Sequence, residues 1–335
     1  MRKGPSAPWR VRDTLKAAIV GVSGPALTGD ERLLLREHDP AGVVLFGRNV
    51  VDPAQLARLT DHLRDVLAAD AVLMVDQEGG RVQRMRPPQW SGHPSAAAIG
   101  AAGERAAWLH GALIGAEARA AGFDVVCAPV LDLRRPEGHD AIGDRTFGSD
   151  PAVVAALGGA MADGLLAAGI QPVAKHAPGH GRAVVDSHVS LPEVDGLDDN
   201  DLAAFADVAR LPWLMTAHVV YRAVDTAPAT LSAVIIEAVI RRRLGFDGVL
   251  VSDDLAMGAL SGFPEERARR CLAAGCDIAL YCPGDPAANR AVLAACPELT
   301  DMASARLARA RGMAARAQKP LDVPAMRAER QSLLT

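Results

Sequence analysis

The stretch 172–191, PVAKHAPGHGRAVVDSHVSL, places three histidines (His176, His180, His188), Lys175 and Asp186 within fourteen positions. Val173 and Ala174 lead into Lys175 and His176, and Pro178, Gly179 and Gly181 then forbid a regular helix, so the segment reads as a strand ending in a loop. Loops carried on rigid scaffolds are where chemistry concentrates. Three readings compete for these residues. They can be a polar loop with satisfied histidines, although so many titratable groups rarely crowd together merely to cap a strand. They can be metal ligands, although His-x3-His presents both rings on one face only in a helix, which Pro178 and Gly179 break. Or they can move a proton: Asp186 and His188 are two apart, and in extended chain such residues face the same way. The carboxylate would then orient the imidazole and stabilise its charged form.

The elements that must hold these groups recur along the chain. Strand-like apolar runs occupy 17–22, 42–46, 71–75, 125–130, the opening of the histidine stretch, 213–215, 248–251 and 277–281. Helical patterns usually separate them. Asp52 and Pro53 stand as N-cap and first helical residue before Leu56, Leu59, Leu63, Val66 and Leu67 at helical spacing. Ser149-Asp150-Pro151 opens another helix, apolar through Val154, Leu157, Met161 and Leu165 and stopped at Gly169. Continuous rather than alternating apolar strands are what parallel strands buried on both faces require. The expected fold is therefore α/β, a single (β/α)8 TIM-type barrel over about 13–318 within one catalytic domain, 1–335. An open doubly wound sheet is the alternative. It would favour a G-x-G-x-x-G loop after the first strand, and Gly21-Val22-Ser23-Gly24-Pro25 lacks that spacing.

At 335 residues and 50% apolar the chain can bury a large core. A formal net charge of −4 and 4% aromatic residues suggest neither a basic face nor a stacking platform for nucleic acid, so a small polar substrate fits better. The basic, alanine-rich helix expected over about 299–318 reads as a closing helix with a solvated face. Five cysteines, odd in number and without a CxxC pair, read as reduced core residues. No apolar run approaches a membrane span, and the basic first dozen residues lead directly to Asp13 and Lys16, so no signal core is expected. The expectation is a cytoplasmic monomer that engages neither membrane nor nucleic acid.

The strand ends would contribute Asp76, Asp132, Lys175, His176, His218, Asp253 and Asp254 to one face of the barrel, the C-terminal face where active sites lie. Individually each has a plain explanation: Asp132 or Asp254 can cap a loop, and His218 can be a hydrogen-bonded core histidine. Their convergence carries the inference. Asp253 follows Val249-Leu250-Val251-Ser252 and would be held rigidly at the barrel mouth, which suits a nucleophile. His188 lies on a glycine-bearing loop, a tolerable home for a group that donates and recovers a proton. The two supply the roles of retaining glycoside hydrolysis, although the usual partner is a second carboxyl.

At these residues the chain resembles glycoside hydrolase family three and, within it, the bacterial β-N-acetylglucosaminidases of peptidoglycan recycling. The matching motifs are DQEGGRVQR (76–84), IGDRTFG (142–148), KHAPGHG (175–181), DSH (186–188), AHV (217–219) and FDGVLVSDDLAM (246–257). The resemblance implies Asp253 as nucleophile, His188 as acid/base with Asp186 as its orienting partner, and Asp76, Arg84, Arg145, Lys175 and His176 as sugar-binding positions. It also implies removal of terminal GlcNAc from 1,6-anhydro-muropeptides, with retention and without metal or cofactor. Ala177 stands where the family commonly has phenylalanine, and the second α/β domain of many members would have no room here. The competing functions are a phosphorylase or broader β-glycosidase of the same family, a metal-dependent barrel hydrolase using His176, His180 and His188, and a catalytically silent sugar-binding protein.

Overall fold

The computed structural model describes residues 15–187 and 189–335. Eight parallel strands form one sheet: β1 Lys16–Gly21, β2 Pro40–Leu45, β3 Val72–Val75, β4 Val125–Val126, β5 Gln171–Ala177, β6 Trp213–Thr216, β7 Val249–Val251 and β8 Ala279–Tyr281. Their spatial order is β7-β6-β5-β4-β3-β2-β1-β8. A bridge between Val251 and Ile278 closes the ring at the β7–β8 seam. The expected (β/α)8 barrel is the observed fold. β4 is shorter than the expected 125–130 because Pro129 has no N–H to give the ladder; pairing resumes where the Leu131 N–H donates to the Lys175 carbonyl.

Apolar residues on both strand faces build two layers. Ile19, Val44, Met74, Cys127, Val173, Met215, Val251 and Leu280 fill the barrel interior, while Val20, Val43, Leu73, Val126, Ala174, Leu214 and Leu250 pack outward under the helices. Since side chains alternate along a strand, the next inward positions beyond Met74, Val173 and Val251 are Asp76, Lys175 and Asp253. The strand pattern thus delivers three charged groups to one end of the barrel axis.

The shell comprises α1 Gly29–His38, α2 Pro53–Arg64, α3 Ala96–Ala120, α4 Pro151–Ala167, the short α5 Asp199–Ala204, α6 Ile235–Arg243 with wide π-type turns, and α7 Pro264–Ala274, followed by α8 Pro286–Ala295, α9 Asp301–Ala317 and α10 Val323–Leu333. Asp52 caps α2 by accepting from the Gln55 N–H, and Asp150 caps α4, both with proline at the first turn as the spacing suggests. Gly103 at φ +85° breaks α3. α10, which no expected element covers, packs on α3 through Met326 against Leu109, Ala112 and Leu113. Among the described residues no helix is long and apolar enough to cross a membrane.

Candidate active site

A cavity of about 380 Å³ opens at the C-terminal end of the strands. Asp76, Arg84, Arg145, Lys175, His176, Asp186 and Asp253 all line it, so the structure brings together the site residues expected from sequence except His188, which lies outside the described residues. Met215 and Leu280 contribute to the lining from the strands, Cys127 and Cys282 from the positions just past β4 and β8, and Phe46 and Met257 from the loops.

Two carboxylates and three cations form a network on one wall. Lys175 Nζ lies 3.0 Å from Asp76 Oδ1 and 2.7 Å from Glu78 Oε1. Arg84 donates to Asp76 Oδ2 at 2.9 Å, and Arg145 grips Glu78 bidentately, Nε to Oε2 and Nη2 to Oε1, both at 2.9 Å. Bidentate guanidinium–carboxylate pairs are the strong, orienting kind. Burial alone would raise both carboxyls, but Lys175 and Arg84 hold Asp76 far below the usual carboxylate range, and Arg145 and Lys175 hold Glu78 down at about 2. Burial likewise opposes the Lys175 charge, and Asp76 and Glu78 outweigh it, so its ammonium stays protonated. These ions therefore present a fixed pattern of donors and acceptors to a polar ligand.

Glu78, which is not among the site residues expected from the sequence, is central to this network. It stands two beyond Asp76 within DQEGG, on the short hairpin 77–83 that follows β3, and i and i+2 of extended chain share a side. That parity was the available signal.

A second layer orients the β5 loop. Asp132 accepts from His176 Nδ1 at 2.6 Å and from the His180 backbone N–H at 2.6 Å. It is the loop-holding aspartate anticipated, its carboxyl kept low, against the effect of burial, by His176 and His180. His180 Nε2 lies 3.0 Å from Ser187 Oγ, and the Ser187 carbonyl accepts from the Ala259 N–H in the loop after β7. The residue following Asp186 is thereby tied both within its own loop and to the loop after β7. Burial drives the His180 imidazole down to about 4, leaving it neutral near pH 7. His218 is buried between Thr230 Oγ1 and the Asp254 carbonyl, the core role that its plain reading gave it.

Asp253 and Asp254 divide the work at the end of β7. Burial opposes the Asp253 charge, but His176, His218 and the N–H of Asp254 hold its carboxyl below the ordinary value. Asp254 Oδ1 accepts from the N–H groups of Ala256 and Cys282, which makes it a loop tie. A half-buried anionic carboxylate beside an ionic wall is equipped to attack an electrophilic carbon of a polyhydroxylated ligand. Among the described residues no group of three or more His, Cys, Asp or Glu is placed to hold a metal ion; His176 Nδ1 is already engaged by Asp132.

The pattern of the glycosyl hydrolase family 3 N-terminal domain matches residues 15–312. The chain belongs to that family, and it is a glycoside hydrolase with a small carbohydrate as substrate. A beta-hexosaminidase of Thiobacillus denitrificans is 40% identical to it over 95% of this chain and 91% of that protein, and one of Pseudomonas aeruginosa is 40% identical over 88% and 90%. The crystal structure of NagZ from Neisseria gonorrhoeae in complex with N-trifluoroacetyl-D-glucosamine is similar at a TM-score of 0.84 and 32% identity, covering 96% of this chain and 99% of that one.

Proposed function

We propose that this chain is an exo-acting, retaining β-N-acetylhexosaminidase that removes terminal GlcNAc. The observation that carries the reading is Asp253, half-buried and held anionic on the cavity that Asp76, Lys175, Arg145 and Asp186 also line. In the first step a carboxylate oxygen of Asp253 attacks the anomeric carbon, the glycosidic C–O bond breaks, and His188 gives its proton to the leaving oxygen. In the second step neutral His188 takes a proton from water, the water oxygen bonds to the anomeric carbon, and Asp253 is released. Asp186 orients the imidazole and stabilises its cation. Asp76, Arg84, Arg145, Lys175 and His176 hold the sugar hydroxyls.

The names of the related hexosaminidases and the glucosamine derivative bound by the Neisseria protein support the choice of sugar. The substrate is taken as GlcNAc-capped 1,6-anhydro-muropeptides in the cytoplasm, cleaved by a monomer whose single catalytic domain is 1–335. Turnover of p-nitrophenyl β-GlcNAc, compared with the β-glucoside and with and without phosphate, tests the proposal. Preference for the glucoside, or release of GlcNAc 1-phosphate in place of GlcNAc, would overturn it.

A further inference from the structure

Behind the ionic wall lies a second buried polar cluster, supplied by α10. Arg330 is only 6% exposed, and its Nη1 donates to His93 Nδ1 at 2.9 Å and His110 Nδ1 at 3.3 Å. The two rings meet edge to face, with centroids 5.8 Å apart. Their other nitrogens have partners as well: His93 Nε2 lies 3.0 Å from Glu117 Oε2, and His110 Nε2 lies 2.9 Å from the Glu78 carbonyl oxygen.

Proton counting fixes this network. A guanidinium can only donate, so both Nδ1 atoms must offer lone pairs. A carbonyl and a carboxylate can only accept from nitrogen, so both Nε2 atoms must carry hydrogen. Both histidines are thus neutral Nε2–H tautomers, set by Arg330 on one side and by Glu78 and Glu117 on the other.

The cluster reaches the hairpin 77–83 at three further points. The His93 carbonyl accepts from the Gly80 N–H at 2.9 Å, and the His93 N–H donates to Gln83 Oε1 at 3.1 Å. Gly79, at φ +101°, seats so closely that a Cβ there would stand 2.8 Å from His110 Cε1. That hairpin carries Glu78, and Asp76 and Arg84 flank it.

We propose that Arg330 is a positioning residue for the sugar pocket: from the C-terminal helix it locks the His93 and His110 tautomers, and through them holds Glu78, and with it Lys175 and Arg145, in register for substrate. The proposal rests on the assignment of this pocket to the sugar. Met326, four residues earlier, contributes apolar packing of the same helix without a polar link to the hairpin.

The test is steady-state kinetics on p-nitrophenyl β-GlcNAc with Arg330→Met, Arg330→Lys, Met326→Ala and Glu78→Gln, alongside 15N NMR of the histidine rings in the unmodified protein. Losing a buried charged donor to the hairpin brace should raise KM about tenfold in Arg330→Met with kcat changed little, and Arg330→Lys should recover part of the loss. Met326→Ala should melt earlier with KM unchanged. The NMR should show His93 and His110 as Nε2–H tautomers near neutrality. KM unaltered in Arg330→Met while Glu78→Gln raises it would overturn the brace. KM unaltered in Glu78→Gln would remove the pocket assignment, and this proposal with it. Should Arg330→Met not fold, Nδ1–H on either ring in the unmodified protein would suffice to reject it.

Discussion

Asp253 and Asp254 are adjacent and half-buried, yet their carboxyls are driven in opposite directions: His176 and His218 overcome desolvation at Asp253, whereas desolvation prevails at Asp254. The difference lies in their partners. Both line the cavity, but Asp254 commits Oδ1 to the N–H groups of Ala256 and Cys282, so its removal should cost structure. Asp253→Asn should keep its melting temperature and lose kcat by a factor on the order of 10⁴. Asp254→Ala should instead destabilise by about 1–3 kcal/mol as two backbone donors lose their acceptor. A slow fluorinated glycoside followed by peptide mapping should find the sugar on Asp253; an adduct on Asp254 would reverse the assignment.

Arg145 and Glu78 form a nearly dry pair, 12% and 4% exposed. Arg145→Ala strips Glu78 of its bidentate partner and leaves only Lys175 to offset the buried charge. Stability should fall by about 3 kcal/mol, and kcat/KM should fall at least in parallel with a lost charge-assisted contact of about 2 kcal/mol. Urea denaturation together with kinetics separates the two effects, and an unchanged kcat/KM would take Arg145 out of the site.

Acid should destabilise the fold in two windows. His180 has its folded pKa depressed to about 4 from 6.5, so the unfolded chain binds that proton more readily and stability declines as pH falls through that interval. Glu78 has its folded pKa depressed to about 2 from 4.5, so its contribution, present in full above the unfolded value, is lost as pH falls below 4.5. Each shift corresponds to roughly 3 kcal/mol at the limit. Chemical denaturation from pH 8 to 3 should show His180→Asn flattening only the upper window and Glu78→Gln only the lower. One common slope in both variants would contradict this.

His188 and Asp186 should act as one unit. Removing either impairs protonation of the leaving oxygen and activation of water, so the double alanine variant should be scarcely slower than the worse single one. A phenolate leaves with little protonation. His188→Ala should therefore slow natural disaccharides far more than glycosylation by activated aryl glycosides, read by pre-steady-state release of the phenol. Full additivity, or equal slowing of both substrates, would dissolve the pair.

The barrel was legible because its strands are uninterrupted apolar runs ending in charge, a pattern that parallel strands buried on both faces impose. Asp76, Lys175 and Asp253 were legible for the same reason, each two residues past an inward-facing apolar side chain. Other features depend on partners distant in sequence. Glu78 reads locally as a turn acid beside two glycines, and only Arg145 and Lys175, from later segments, turn it into a hub. His180 entered as a possible metal ligand and is found tied to Ser187. The α10 helix has an ordinary composition, and its importance comes from Arg330 meeting His93 and His110, both more than 200 residues upstream.

The alternation of inward and outward residues along β3, β5 and β7 also limits how this chain can diverge. Adding or deleting one residue inside Val249–Val251 would exchange the two faces beyond the change, turning Asp253 toward the helices and Ser252 toward the cavity. The connecting loops face no such parity constraint and can lengthen at modest entropic cost. Homologues should therefore vary in loop length while the strand-to-charge spacing stays constant, and new specificities can be grafted at the mouth without resetting the chemistry at its floor.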